Sequence, residues 1–481
     1  MKPVAFPLVV DLDGTLTPSD TLVESIVRLL KQSPFNLVAL VFWLTRGRVA
    51  FKRFVASRSD FSAEQLPYRK PLLDYLGKER AAGRQIVLAT ASHKRVADEV
   101  SRHLGLFDDV IATENGINLK GRNKLKAIND RVGEHFVYAG DSASDIPIWK
   151  SAAAAVLVNA SAAVARTVRS STPIELEFPR SRANYHTWLR ALRVHQWLKN
   201  LLIFVPLLTA FSLFDADKLM TSAIAFFAFS LVASATYMVN DILDIESDRV
   251  HPRKRFRPIA NAEISVASAM LVAVILLIAG LGLALLDSLQ VFLMVLLYLV
   301  VTSGYSWFLK RFTLVDVIVL SLLYTLRILV GSVAIEVPMS TWLLAFSLFL
   351  FLSLALVKRC SELVTYEKVG GDTASGRGYR VSDLTVLWPL GVGASVSAVV
   401  VFGLFINAPE TAARYHSPNL LWIAALALFY WLSRLWIKTS RGEIHDDPLV
   451  YAIKDRGSWV VFLAMVASMI SALYYLRGFQ L

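Results

Sequence analysis

The sequence predicts a two-domain protein: an N-terminal α/β domain of the doubly wound type with a small helical cap, then an all-α polytopic membrane domain. Residues 1 to about 190 mix charged and apolar side chains as soluble domains do. From about residue 200 onward, long apolar runs alternate with short polar loops, and about nine of these runs have the length that a bilayer core requires. The chain is 55% hydrophobic with a mean hydropathy of +0.51, which is too apolar for an ordinary soluble enzyme.

The same shift in composition sets the predicted domain limits. We place the α/β domain at residues 1–172, with its cap at about 17–80, a linker at 173–190, and the membrane domain at 191–481. The first predicted span is the weakest, since Pro206 and Asp215 shorten it. The predicted spans are 199–215, 220–239, 264–286, 288–305, 313–335, 341–357, 384–407, 419–437 and 457–476.

The net charge of +12 is distributed as expected for a membrane protein. Basic residues concentrate in the loops after predicted spans two, four, six and eight, which is the positive-inside pattern. These loops and the N-terminal domain are therefore expected to face the cytoplasm. No basic helix with interleaved aromatic residues supports a nucleic-acid partner. The single cysteine, Cys360, excludes an intramolecular disulfide and fits a reducing compartment. The basic residues of the four loops include Arg253, Lys310, Lys358, Arg377 and Lys438.

Three short apolar runs in the N-terminal domain end abruptly in polar residues. They are predicted to be strands at about residues 7–10, 85–89 and 135–139. The first ends at Asp11, the second at Thr90 and the third at Gly140-Asp141. Because helical stretches separate the strands, their carboxyl ends are expected to meet at one edge of a parallel sheet, where sites collect.

The carboxylates at this edge suit phosphoryl chemistry. Asp11 is a candidate nucleophile toward phosphorus, and Asp13 could protonate the leaving oxygen and then activate water. Asp141 offers a hard oxygen ligand for Mg²⁺, with Asp145 nearby to support it. The competing interpretation is an ordinary soluble domain whose carboxylates cap helices.

Two further residues complete a set of motifs. Thr90 and Lys124 would bind the phosphoryl oxygens and offset the developing charge. The chain resembles the haloacid dehalogenase superfamily of phosphatases, because four motifs occur in the order that this superfamily has. They are Asp-x-Asp-Gly-Thr, the Thr after the second strand, the Lys of Gly121-Arg-Asn-Lys124, and Gly-Asp-x-x-x-Asp. That resemblance covers about 170 residues and implies a magnesium-dependent phosphomonoesterase. Its metal site would be built from Asp11, Asp13, Asp141 and Asp145.

One segment of the cap is unusually apolar. Residues 35–44 read Phe-Asn-Leu-Val-Ala-Leu-Val-Phe-Trp-Leu, which is too short for a comfortable span. The segment either forms the apolar core of the cap or contacts the bilayer surface or the membrane domain, helped by Arg46, Arg48, Lys52 and Arg53.

An acidic motif follows the second predicted span. Asp241, Asp244 and Asp248 are spaced i, i+3 and i+7, which puts them on one face of a helix. Three like charges would repel there unless a divalent cation with diphosphate oxygens offsets them. The alternative is a solvated acidic loop. The pattern Asn-Asp-x-x-Asp-x-x-x-Asp resembles the first motif of the UbiA superfamily of intramembrane prenyltransferases, and the resemblance covers about residues 190–481.

Later loops point to one branch of that superfamily. Aromatic prenyltransferases usually carry a second Asp-x-x-x-Asp motif, but no such pair occurs after residue 300. Lys358 and Arg359 stand in the corresponding loop, which suits a donor with an extra phosphate. Four features are similar to those of the decaprenyl-phosphate phosphoribosyltransferase branch. They are the basic tail after Asp248, Tyr305 with Lys310, Arg327, and the segment His445-Asp446-Asp447-Pro448. The candidate substrate-binding residues are Asn240, Arg249, Lys254, Arg257, Tyr305, Lys310, Arg327, Lys358, Arg359 and Glu362.

The resemblance implies a bifunctional enzyme of the bacterial cytoplasmic membrane, active in cell-envelope biosynthesis. Its membrane domain would move 5-phosphoribose from 5-phosphoribosyl diphosphate to a polyprenyl phosphate with Mg²⁺, and its phosphatase-like domain would dephosphorylate the product. One alternative is prenylation of an aromatic acceptor by a polyprenyl diphosphate, with the phosphatase-like domain acting on another ester. Another is an inactive regulatory N-terminal domain. Homo-oligomerisation is left open.

Several of these residues also have plain structural interpretations. Arg327, inside the fifth span, is costly there and needs a functional partner or a structural pair such as Asp316. Tyr305 and Lys310 would suit the membrane interface equally well. Asp446 and Asp447 could cap a helix that begins at Pro448.

Overall fold

The structure is a computed structural model that describes residues 6–114, 118–180, 183–368, 378–444 and 447–474. Arg377, His445 and Asp446, which the sequence analysis singled out, lie outside the described residues. The chain divides into two compact units. The first comprises Met1–Leu192 and Tyr237–Val274, and the second Arg193–Thr236 and Ile275–Leu481.

A parallel sheet of six strands forms the centre of the first unit. Its order is β3-β2-β1-β4-β5-β6, so the direction of winding reverses beside β1. This confirms the predicted doubly wound α/β domain and its three predicted strands, β1, β2 and β4. The other three strands were not predicted, and β6 lies within the predicted linker 173–190. The strands are β1 Leu8–Val10, β2 Ile86–His93, β3 Asp109–Thr113, β4 Val137–Gly140, β5 Ala154–Val158 and β6 Ile174–Phe178.

Helices cover both faces of this sheet because its strands are apolar on both sides. All three residues of β1 are fully buried, and so are the four of β4. Separate apolar clusters fill the two faces, one under α4 and α5 and the other under α6–α8. The helices of this part are α1 Thr21–Gln32, α2 Asn36–Thr45, α3 Arg48–Arg58, α4 Lys70–Ala81, α5 Lys94–Leu104, α6 Arg122–Arg131, α7 Ile146–Trp149, α8 Ala162–Arg169 and α9 Tyr185–Ala191.

The cap consists of α1, α2 and α3, which share a small apolar core of their own. From α2, Leu40 is buried in this core, and Trp43 stacks on Phe54 of α3 with ring centroids 5.1 Å apart. The other large apolar residues of the segment 35–44 are exposed. Only one side of α2 therefore fits the interpretation of this segment as cap core.

Long apolar helices make this an integral membrane protein. Among the described residues, eight helices are long and apolar enough to cross a bilayer: α11, α13–α17, α19 and α21. The remaining helices of the chain are α10 Val205–Thr209, α11 Ala216–Leu243, α12 Ile245–Val250, α13 Val266–Asp287, α14 Leu289–Trp307, α15 Val315–Ala334, α16 Thr341–Lys368, α17 Leu384–Ile406, α18 Pro409–Arg414, α19 Leu421–Ser440, α20 Pro448–Lys454 and α21 Arg456–Tyr474.

The predicted first span, 199–215, is not one continuous helix. This segment forms the end of a 3₁₀ helix, Val194–Phe204, followed by the five-residue helix α10. Pro206 lacks a backbone N–H and so starts a new helix rather than continuing one. The 3₁₀ segment packs directly on α15, since a Cβ atom at Gly331 would lie 1.9 Å from the carbonyl oxygen of Ile203.

Candidate active sites

A buried lysine joins two carboxylates at the carboxyl edge of the sheet. Asp11 directly follows β1, and its Oδ1 lies 2.9 Å from Nζ of Lys124, which α6 supplies. The same ammonium lies 3.6 Å from Oδ1 of Asp145 and donates to the hydroxyl of Tyr138 at 3.0 Å. Burial alone would lower the pKa of Lys124, but Asp11 and Asp145 outweigh burial and raise it. Lys124 is therefore a permanent cation in the site.

Asp141 completes a group of three carboxylates. Ligand oxygens of Asp11, Asp141 and Asp145 lie within 4.8 Å of one another, the only such metal-compatible group among the residues that the structure describes. Burial raises the pKa of Asp11 to about 7, with Asp145 adding to the effect and Lys124 opposing it. Burial and Asp145 likewise raise the pKa of Asp141 to about 7. This excess of negative charge in hard oxygen donors fits a Mg²⁺ ion.

Gly14 allows the loop after Asp11 to approach this group. Its φ is +81°, in the left-handed region that favours glycine, and a Cβ atom there would lie 2.2 Å from Oδ2 of Asp141. A side chain at this position would displace Asp141 from the group.

Asp13 lies apart from the three carboxylates. Its Oδ1 accepts from the backbone N–H of Thr21 at 2.7 Å, and its Oδ2 accepts from the hydroxyl of Ser92 at 2.5 Å. Burial, with a contribution from Asp20, raises the pKa of Asp13, which favours the protonated form that an acid catalyst needs. Asp13 is not in the group of three carboxylates that could share a metal ion, so its predicted role as a metal ligand stays a prediction.

Three further polar residues lie near this edge. Ser92, which was not predicted, donates its backbone N–H to the hydroxyl of the fully buried Thr90 at 3.0 Å. Arg69, also not predicted, donates to the carbonyl of Gly14 at 3.3 Å. Lys52 of α3 was predicted only as a flanking basic residue of the cap, but it donates to the carbonyl of Ala91 at 2.7 Å. No local pattern marks Lys52 or Arg69 as site residues, so only the tertiary structure identifies them.

The acidic motif spans a helix junction rather than one continuous helix. The structure ends α11 at Leu243 and begins α12 at Ile245, with Asp244 between them. The backbone N–H of Asp244 still donates to the carbonyl of Asn240 at 2.9 Å, and the carbonyl of Asp244 accepts from the backbone N–H of Asp248 at 2.9 Å. The helical path therefore continues through the junction, which keeps Asp241 and Asp248 on the same side.

One guanidinium bridges two carboxylates of this motif. Nη1 of Arg257 lies 3.0 Å from Oδ1 of Asp241 and 2.5 Å from Oδ2 of Asp248. Both aspartates are buried, whereas the Arg257 side chain is 28% exposed. The two carboxylates thus face one position, which the positive charge of Arg257 occupies.

The helix α12 also contacts the cap of the α/β domain. Arg249, next to Asp248 in the chain, donates to both carboxylate oxygens of Glu24 on α1, at 2.9 and 2.6 Å. The carbonyls of Gln65 and Ala260 accept from the same guanidinium at 3.0 Å. Glu246 forms a second ion pair, with Arg28 of α1. Arg249, predicted to bind substrate, is thus held by protein groups.

In the second unit, two lysines meet a buried aspartate that the sequence analysis had left ambiguous. Nζ of Lys199 lies 2.6 Å and Nζ of Lys358 lies 3.5 Å from Oδ2 of Asp447, which also accepts from the Tyr324 hydroxyl at 3.2 Å. Burial would raise the pKa of Asp447, but the two ammonium groups lower it well below its usual range. Asp447 also caps α20 through the backbone N–H of Leu449, as predicted for a residue before Pro448.

Two arginines of the second unit have different surroundings. Arg327 donates through Nε to Oδ1 of Asn200 at 2.9 Å and also to the carbonyl of Leu323. Asp316 instead pairs with Arg359 at 2.6 Å, and both side chains are fully buried. Arg359 also pairs with Glu362. The predicted phosphate-binding role of Arg359 therefore conflicts with its position, since no part of the guanidinium reaches solvent. The Glu362 side chain is 31% exposed, and its predicted role in substrate binding stays a prediction.

The remaining candidates lie at helix ends or in the turns that follow them. Asn240 is in the last turn of α11, and Lys254 is exposed in the 3₁₀ turn that follows α12. Tyr305 is near the end of α14, and Lys310 is in the 3₁₀ turn after it. Both are half-buried, which is compatible with a membrane interface as well as with a site.

Comparison with known proteins identifies relatives of both parts. Residues 201–454 match the model of the UbiA prenyltransferase family, and residues 8–150 match that of haloacid dehalogenase-like hydrolases. The chain is 40% identical over 473 residues to the uncharacterized protein y4nM of Sinorhizobium fredii, covering 97% of this chain and 91% of that protein.

Two further relatives match the membrane part. The decaprenyl-phosphate phosphoribosyltransferase of Mycolicibacterium smegmatis is 30% identical over 296 residues, covering 60% of this chain and 92% of the relative. A solved structure of a UbiA homolog from Archaeoglobus fulgidus, bound to GPP and Mg²⁺, is 17% identical with a TM-score of 0.45, covering 59% of this chain and 99% of that one.

Proposed function

Since the chain belongs to the UbiA prenyltransferase family and carries a haloacid dehalogenase-like hydrolase domain, we propose that it is a bifunctional enzyme of lipid-linked sugar synthesis. The membrane domain transfers 5-phosphoribose from 5-phosphoribosyl diphosphate to a polyprenyl phosphate. The α/β domain then removes the 5-phosphate. Both sites face the cytoplasm, as the distribution of basic loops predicts.

The observation that carries the transfer half is the approach of Asp241 and Asp248 to one cationic position. Mg²⁺ held by Asp241, Asp244 and Asp248 would stabilise the diphosphate leaving group. The phosphate oxygen of the lipid attacks C1 of the ribose, and the bond from C1 to the diphosphate oxygen breaks. No strong general base is needed, since the acceptor phosphate is already ionised. The 30% identity to a decaprenyl-phosphate phosphoribosyltransferase supports this substrate pair.

Lysines of the membrane domain bind the phosphate groups in this proposal. Lys199 and Lys358 share the single carboxylate of Asp447, so their combined charge exceeds that of their partner. A phosphate monoester would offset the excess. Lys254 and Arg257 are further candidates, whereas Arg359 is excluded because its pair with Asp316 is fully buried.

The phosphatase half relies on the side chains around Lys124. The carboxylate of Asp11 attacks phosphorus, the bond from phosphorus to the ribose oxygen breaks, and Asp13 donates a proton to that oxygen. Asp13 then takes a proton from the water that hydrolyses the aspartyl phosphate. Lys124 and Thr90 bind the phosphoryl oxygens. Mg²⁺ at Asp11, Asp141 and Asp145 would neutralise the charge that otherwise opposes an anionic substrate.

A single incubation tests the proposal. Membranes containing the protein receive polyprenyl phosphate, Mg²⁺ and labelled 5-phosphoribosyl diphosphate, and the lipid product is analysed by mass. We expect a labelled polyprenyl phosphoribose without the 5-phosphate. Transfer from a polyprenyl diphosphate to an aromatic acceptor, with no labelled lipid from 5-phosphoribosyl diphosphate, would instead identify an aromatic prenyltransferase.

A further inference from the structure

The outer side of the cap helix α2 is apolar and exposed. Leu40 is the residue of α2 that is fully buried, whereas six large apolar residues on or next to this helix are 51–82% exposed. Monomeric soluble domains rarely expose a contiguous apolar patch of this kind without a binding partner. The six residues, called here the α2 face, are Phe35, Leu37, Val38, Val41, Phe42 and Leu44.

Positive charge borders the α2 face. No aspartate or glutamate occurs between Glu24 and Asp60, whereas four exposed arginines follow α2 within fourteen residues of its last residue, Thr45. One of them, Arg46, lies over the Phe42 ring at 4.9 Å. An apolar helix face with flanking basic residues is the composition of helices that lie in the interface of an anionic membrane. The four arginines are Arg46, Arg48, Arg53 and Arg58.

The cap is also held close to the end of a membrane helix. Glu24 and Arg28 of α1 pair with Arg249 and Glu246 of α12, and α12 begins two residues after α11 ends at Leu243. The Glu24 side chain is 1% and that of Arg249 is 9% exposed, so this connection is built into the fold. Because α2 shares the small apolar core of the cap with α1, it belongs to the same cluster of helices that these ion pairs connect to α12.

We propose that the α2 face lies in the headgroup region of the membrane, parallel to its surface, and that its arginines bind anionic lipid headgroups. A ten-residue helix is about 15 Å long, half of what a span requires, so it lies in the interface rather than crossing it. Two residues of the cap, Thr21 and Lys52, contact Asp13 and Ala91 of the phosphatase site. Docking of the cap would therefore bring this site to the membrane surface, where a lipid phosphomonoester would be.

A depth measurement tests the docking without reference to any substrate. A nitroxide label is placed at Val38→Cys in the full-length protein, with the buried Cys360 replaced by serine. The control label is at Arg102→Cys, on the exposed side of α5. The protein is reconstituted in nanodiscs of equal parts phosphatidylcholine and phosphatidylglycerol. We expect the Val38 label to be more accessible to oxygen than to a water-soluble nickel chelate, and the Arg102 label to show the reverse.

The other outcomes overturn the proposal. A Val38 label that is as accessible to the nickel chelate as the Arg102 label would mean that α2 stays in water. A Val38 label that is shielded from both reagents would mean that protein, such as the membrane domain or a second copy, covers the α2 face. Arg46→Glu with Arg48→Glu should reduce the oxygen accessibility of the label in anionic discs; an unchanged value would contradict the role of the arginines.

A second measurement rests on the proposed function and can fail separately. Leu37→Asp with Val38→Asp should leave hydrolysis of the soluble ester p-nitrophenyl phosphate unchanged, because both side chains are exposed on the α2 face. Hydrolysis of a phosphorylated polyprenyl phosphoribose in the same discs should fall at least about tenfold. Equal activity toward the lipid in the variant and the parent would contradict the role of docking in substrate access, whatever the label reports.

Discussion

The two acidic clusters of the first unit differ in how their negative charge is offset. Around the sheet edge, Lys124 is buried and contacts Asp11, Asp145 and Tyr138 at once. At the junction of α11 and α12, Arg257 bridges Asp241 and Asp248 but keeps more than a quarter of its side chain exposed. A buried lysine with three partners is a fixed part of a site, whereas a partly exposed arginine can move when a metal and a phosphate group enter.

Replacement of the nucleophile should have the largest effect. Asp11→Asn removes the attacking oxygen next to Lys124, so we expect magnesium-dependent hydrolysis of p-nitrophenyl phosphate to fall at least about 1000-fold. Transfer to polyprenyl phosphate should be unchanged, because Asp11 belongs to the other cluster. Asp74→Asn, at an exposed position of α4, is the matched control and should retain both activities. If Asp11→Asn hydrolyses the ester as fast as the parent protein does, Asp11 is not the nucleophile.

Changes at Asp241 and Asp248 should lower the transfer reaction and not the phosphatase reaction. Asp241→Asn or Asp248→Asn removes one of the two charges that face Arg257, and loss of one metal-binding carboxylate should lower transfer about 10- to 100-fold. Phosphatase activity on the soluble ester should persist. Asp217→Asn, exposed in the first turn of the same helix α11, tests whether any lost carboxylate has this effect. Normal transfer in both variants would show that the motif holds no metal.

Most of the fold could be predicted from the sequence, and the exceptions have local causes. Eight predicted spans correspond to long apolar helices, but Pro206 divides the ninth. Strand β6 was taken for linker because it alternates exposed and half-buried residues instead of forming an apolar run. Its Glu175 pairs with Arg84, which precedes β2, so distant residues rather than local hydrophobicity stabilise this edge.

The candidate sites were predictable only where a motif carries them. Asp11, Lys124, Asp141 and Asp145 come together as their motifs imply. No local pattern distinguishes Lys358, which reaches Asp447, from its neighbour Arg359, whose guanidinium is fully buried against Asp316. Successive helical residues point in different directions, and the packing of α16 decides which one enters the core.

The contact between α12 and the cap can be broken next to the second cluster. Glu24→Ala leaves the Arg249 guanidinium buried without its carboxylate, which should cost about 2 kcal/mol and lower the temperature of half-inactivation of the phosphatase by roughly 5 °C. Glu263→Ala breaks the exposed pair with Arg190 and should change this temperature by less than about 2 °C. Equal shifts in the two variants would mean that the buried pair contributes no more than an exposed one.

The smallest expected effect concerns the lysines around Asp447. Lys358→Ala should raise the KM for 5-phosphoribosyl diphosphate about fivefold with kcat nearly unchanged, because a group that binds the donor's phosphate acts in the ground and transition states alike. Lys368→Ala, exposed at the end of the same helix α16, is the control. A fall in kcat at constant KM would assign Lys358 to the chemical step instead.

The mass of the lipid product tests most directly whether the two clusters act in sequence on one molecule. The parent protein, Asp11→Asn and Asp241→Asn are each incubated in nanodiscs with polyprenyl phosphate, Mg²⁺ and 5-phosphoribosyl diphosphate. We predict polyprenyl phosphoribose from the parent, its 5-phosphorylated form from Asp11→Asn, and mostly the starting lipid from Asp241→Asn. Identical lipid masses from the parent and Asp11→Asn would contradict the account, since the phosphatase cluster would then act on a different substrate.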